Sequence, residues 1–149
     1  MFRLPFLLFL ALAADETAGL LPDGPGKEIT GKICTDCHDT ANIRKQRLSR
    51  DKWSEKIDEM VDRGAQGTDE EMAAVLDYLA RNFGPGSKMF VNTAPYSELK
   101  TILGLTNPET DAIIAYRAKN GNFHDWTDLL KVEGLDSRKI EAKKDLLAF

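Results

Sequence analysis

Leu103-Gly104-Leu105-Thr106-Asn107-Pro108 and Glu133-Gly134-Leu135-Asp136-Ser137 read as two copies of one turn. Each follows an apolar helical segment and feeds another. Leu99, Ile102 and Leu103 precede the first copy, and Glu109 to Lys119, carrying Ile113 and Ile114, follows it. A helix opened by Asp125-Trp126-Thr127-Asp128 and running through Leu129, Leu130 and Val132 precedes the second. Arg138 to Phe149, with Ile140, Leu146 and Leu147, follows. Apolar residues three and four apart mark amphipathic helices, and the glycines mark the turns. Asn120-Gly121 separates the copies. The spacing predicts helix, turn, helix, twice, over residues 86–149.

Working outward, Phe83-Gly84-Pro85-Gly86-Ser87 closes an earlier module over residues 14–85. Its lead-in, Gly19 to Gly26, is turn-rich. Lys27 to Cys34 reads as a short helix with Ile29 and Ile33 on one face. Asp39 to Arg50 reads as a polar loop. Ser49 is a fitting N-cap for a helix carrying Trp53, Ile57, Met60 and Val61, which Gly64 ends. Thr68 and Glu71 have the spacing of a capping box. The helix they open carries Met72, Val75, Leu76, Leu79 and Phe83. The expected fold class is all-α, three short helices followed by the hairpin repeat.

The chain has 149 residues, a net charge of −4 and two cysteines. That length fits one or two small domains, and the acidic balance disfavours a general nucleic-acid coat. At the amino terminus, Arg3 precedes the apolar run Leu4 to Leu12, and Ala11-Leu12-Ala13 is a small-x-small site. Residues 1–13 therefore read as a signal peptide, with export to the periplasm and no stable membrane span after cleavage. A retained anchor is the alternative. Both cysteines lie in Cys34-Thr35-Asp36-Cys37-His38. C-x-x-C-H is a pattern for covalent haem attachment. C-x-x-C also serves disulfide redox chemistry and zinc. Zinc would need two further ligands, and only His38 and His124 are available.

Leu21-Pro22-Asp23-Gly24-Pro25-Gly26-Lys27, the C-x-x-C-H, Ile43, Arg47, Trp53, Met60, Gly64-Ala65, Tyr78-Leu79-Ala80 and Phe83-Gly84-Pro85 form a pattern. It resembles the small monohaem class I-like cytochrome c domains of bacteria. The resemblance implies one haem c bound through Cys34 and Cys37, with His38 as an axial ligand. Met60 matches the position of the second axial ligand, Met72 being the alternative. Arg47 is a candidate partner for a haem propionate, and Trp53 a candidate wall of the haem site. The expected function is a periplasmic carrier of single electrons, not an enzyme. Its partner would be a periplasmic dehydrogenase or a membrane electron-transfer complex. With an open sixth site, the same group would support a small peroxidase.

Asn92-Thr93-Ala94, Ala112-Ile113-Ile114-Ala115-Tyr116-Arg117, Asn120-Gly121, Phe123 and Asp128-Leu129-Leu130-Lys131-Val132 resemble the tandem helix-hairpin-helix domains of competence proteins. Such domains often bind DNA without sequence preference, holding phosphates at hairpin turns of the form Gly-apolar-Gly. Here the second glycine is Thr106 in one turn and Asp136 in the other. From Gly86 onward basic and acidic residues are equal in number. These departures favour docking to a redox partner. The alternative is a DNA-binding or surface adaptor that carries haem. Arg138-Lys139 and Lys143-Lys144 form a local basic patch, and His124 reads as a loop residue.

Overall fold

The computed structural model describes residues 20–149. The signal segment expected over residues 1–13 lies outside the described residues. The chain is mainly helical and has two apolar cores, one in each module.

The first module holds four helices: α1 (Lys27–Cys34), α2 (Ala41–Arg44), α3 (Arg50–Asp62) and α4 (Asp69–Asn82). Ser49 caps α3 by accepting from the Lys52 N–H. Thr68 and Glu71 form the capping box that opens α4. Apolar faces of α1 and α3 pack on α4. Trp53, Val75, Tyr78, Leu79 and Phe83 are buried there. At the end of α4 the Phe83 carbonyl accepts from the Leu48 N–H (3.0 Å) and from the Trp53 indole N–H (3.1 Å). These bonds satisfy a carbonyl that the helix itself leaves without a partner. The polar loop expected from Asp39 to Arg50 instead contains α2. Its four residues are too few for an apolar period, so it carried no helical signal.

The second module begins with β1 (Met89–Phe90) and continues through α5 (Tyr96–Leu103), α6 (Asn107–Asn120), α7 (Trp126–Leu129) and α8 (Ser137–Glu141). A 3-10 turn over Lys144–Leu146 leads into β2 (Leu147–Ala148). The helix expected to run to Phe149 therefore stops at Glu141. The chain then turns back to pair β2 with β1 in parallel, Met89 opposite Leu147 and Phe90 opposite Ala148. Met89, Leu99, Ile113, Leu129 and Ile140 are fully buried and tie all the elements together. Helix α2 of the first module packs against α5 of the second.

Candidate functional site

The residues predicted as a cofactor site fall in two places. Cys34, Cys37, His38, Met60 and Trp53 border one cavity of about 750 Å³ in the first module. Cys34 ends α1 half-buried, and burial pushes its thiol up to about 11. Cys37 and His38 are exposed in the turn that follows. The His38 Nδ1 lies 3.0 Å from the Asp39 carbonyl oxygen. Met60 sits in the last turn of α3, and Met72 borders the same space.

Arg47 lies elsewhere. Its Nε donates to the Ser87 carbonyl at 3.1 Å, Nη1 to the carbonyls of Arg44 and Gln46, and Nη2 to Glu98 Oε1 at 3.0 Å. Arg44 also reaches Glu98, Nε to Oε2 at 2.8 Å, with both side chains 2 % exposed. Two arginines of the first module therefore enclose one carboxylate of the second. Sequence reasoning missed this cluster, because the partners lie more than fifty positions apart.

The hairpin turns are built alike. Gly104 (φ +66°) and Gly134 (φ +81°) take the left-handed conformation. After each comes a buried or half-buried leucine, Leu105 or Leu135, and then an N-cap. Thr106 caps α6 in a capping box with Glu109, and Asp136 caps α8 by accepting from the Arg138 N–H. The positions expected to hold a second glycine are thus helix caps. Glu109 joins the two turns. Its Oε2 accepts from the Thr106 N–H at 2.8 Å and from Lys139 Nζ at 2.6 Å. Its Oε1 accepts from the Asp136 N–H at 3.2 Å. The Lys139 bond and then the Thr106 backbone bond hold its carboxyl down at about 2.

The Asp136 carboxylate, at the second-glycine position, also accepts from the Arg138 guanidinium, Nε at 3.0 Å and Nη2 at 2.9 Å. Glu98 and Glu109 are buried and paired, Glu98 with Arg44 and Arg47 and Glu109 with the half-buried Lys139. Arg138, in the first turn of α8, and Lys143 and Lys144, beyond its end, are exposed. Lys144 lies over the Trp126 ring, 5.6 Å from its centroid. His124 is exposed, as expected of a loop residue.

Residues 86–148 match the helix-hairpin-helix motif family. An uncharacterized protein of Haemophilus influenzae is 36 % identical over 63 residues, 42 % of this chain and 56 % of that protein. ComE operon protein 1 of Bacillus subtilis is 39 % identical over 61 residues, 41 % of this chain and 30 % of that protein. The chain thus spans less than two thirds of either relative. No solved structure matches.

These findings overturn the electron-carrier expectation. The matching family is a hairpin motif, and neither relative is a cytochrome by name. Among the described residues, no group of three or more His, Cys, Asp or Glu side chains is placed to hold a metal ion. The Arg47 guanidinium expected to face a propionate is bound at the seam between modules. Haem c, single-electron transport, docking to a redox partner and the peroxidase reading are accordingly withdrawn. Among the described residues no helix is long and apolar enough to cross a membrane.

Proposed function

We propose that the hairpin module binds duplex DNA through its phosphate backbone, without base selection, in an exported protein that catalyses no reaction. The likeness of residues 86–148 to the helix-hairpin-helix motif, shared with ComE operon protein 1, carries this reading. The charge arrangement supports it. Backbone binding depends on cations that displace condensed counterions. Arg138 lies in the first turn of α8, and Lys143 and Lys144 follow it with Lys144 over the Trp126 ring, a local exposed basic patch on a charge-balanced module. Exposed side chains at a turn reach a phosphate without disturbing the core.

The test is fluorescence anisotropy of a labelled duplex with the full chain. Three or four phosphate contacts weaken binding by about thirty- to two-hundredfold between 50 and 200 mM salt. Unrelated duplexes bind alike, and Lys143→Glu with Lys144→Glu removes most of the affinity. Absence of binding at 50 mM salt, or affinity indifferent to salt and to these substitutions, overturns the proposal.

A further inference from the structure

Residues 20–26, the turn-rich lead-in, lie as a strap along α4 before α1 begins. Tyr78 and Arg81 of α4 are three apart and share one face of it. Both donate to the strap. The Tyr78 hydroxyl reaches the Pro22 carbonyl at 2.5 Å, and Arg81 Nη1 reaches the Pro25 carbonyl at 3.3 Å. Leu21 is 3 % exposed and belongs to the first module's core. The inner part of the strap is therefore held by burial and by two bonds from one helix face.

Its outer end is held differently. The Leu20 side chain is 37 % exposed, and the Leu20 carbonyl accepts from Arg44 Nη1. The same buried guanidinium donates through Nε to Glu98 Oε2 at 2.8 Å. One planar group thus joins the strap, α2 and α5 of the second module. A guanidinium is rigid, so the bond at Nη1 also fixes the direction of Nε. Withdrawing the Leu20 carbonyl leaves a donor of a buried charge unpaired, and the side chain then turns towards water. That turn disturbs the bond to Glu98. The contacts are also ordered. A strap peeled from its amino end loses the Leu20 carbonyl before Leu21 leaves the core and before Tyr78 loses Pro22. The first contact to fail is the one that leads to the second module.

We infer that residues 20–26 are a latch on the seam between the modules. Seated, the strap holds Arg44 against Glu98, and the two modules move together. A pull on the chain ahead of Leu20 withdraws its carbonyl and frees the hairpin module to move against the first. The inference stands independently of DNA binding.

The test is amide hydrogen exchange of the full chain, read by mass spectrometry on peptides of α5 and α6. Leu21→Asp unseats the strap by placing a charge where the core holds a leucine. Exchange at the Glu98 and Leu99 amides, in the first turn of α5, then speeds by about tenfold or more. The amides around Ile113, at the centre of α6, keep their protection. Should Leu21→Asp fail to fold, Tyr78→Phe removes only the bond to Pro22 and speeds α5 in the same direction. Val75→Ala loosens the same core with the strap's bonds intact, and its α5 keeps the rate of the unaltered chain. Unchanged α5 exchange in Leu21→Asp, or in Tyr78→Phe where Leu21→Asp does not fold, overturns the latch. Equal acceleration by Val75→Ala also overturns it, since the coupling would then belong to the core and not to the strap.

Discussion

Glu109 is the residue on which both hairpin turns converge. One carboxylate accepts from Lys139, from the Thr106 backbone and from the Asp136 backbone, so α6 and α8 share an acceptor. Its acidity follows from those bonds, which favour the charged form and hold the group at about 2. An unfolded glutamate titrates near 4.3. A carboxyl depressed on folding contributes stability above the unfolded value, and that contribution fades as pH falls through the folded one. Glu109→Gln is therefore expected to cost about 2 kcal/mol at neutral pH. Urea midpoints of the two proteins should converge as pH is lowered from about 4 towards 2. A difference that stays constant over that range would sink the assignment. At Thr106 the sequence reads only as a missing second glycine, so the capping box with Glu109 went unread although it is local. The bridging half could not be read, because Asp136 and Lys139 are distant in sequence. Arg47 shows the same limit: its local setting reads as a solvent-facing or ligand-facing cation, while its partner Glu98 lies on another module.

At the scale of elements, the features legible in sequence are those whose chemistry is local. Gly104 ends α5 at φ +66°, and an added Cβ there would meet nothing within 4 Å. Gly104→Ala should then carry only the left-handed backbone penalty, about 1 kcal/mol. Gly26, read from sequence merely as part of a turn-rich lead-in, is more constrained. Its φ is +92°, and an added Cβ would sit 2.8 Å from Tyr78 Cβ and 3.0 Å from the Ala74 carbonyl oxygen. The Tyr78 hydroxyl also donates to the Pro22 carbonyl at 2.5 Å, which fixes the lead-in against α4. Gly26→Ala should cost on the order of 3 kcal/mol, since clash adds to backbone strain. Urea unfolding with unchanged slope checks the pair, and equal losses at the two sites would contradict this ranking. A capping box and glycine turns announced α4, α5 and α6. Helix α2 and the two strands did not, since elements of two to four residues carry no period. Pairing β2 with β1 needs residues some fifty-eight positions apart, and that pairing is what stops the last helix short. The C-x-x-C-H pattern marked where the first module opens to its cavity.

At the scale of the molecule, the buried Arg44–Glu98–Arg47 cluster decides whether the modules act as one body. Arg44 ends α2 and Glu98 lies in the first turn of α5. Each charge therefore faces the end of its own helix that favours it. Arg44 and Glu98 are almost wholly buried, so removing one partner strands a charge away from water. Such a loss typically costs 3–5 kcal/mol, far more than an exposed pair. Glu98→Ala should therefore separate the modules as well as destabilise them. Each module carries one of the two tryptophans, Trp53 in the first and Trp126 in the second. Trp126 is only partly buried, so Trp126→Phe is a mild change that leaves Trp53 reporting on the first module alone. In that background, Trp53 fluorescence and far-ultraviolet circular dichroism should trace a single urea transition. Adding Glu98→Ala should lower the midpoint and split the two signals, the fluorescence following the first module while the dichroism keeps the helices of the second. Coincident signals in the double variant would mean that β1 and the linker, and not the ion cluster, join the modules. Separate signals already present with Glu98 intact would mean that the cluster does not couple them.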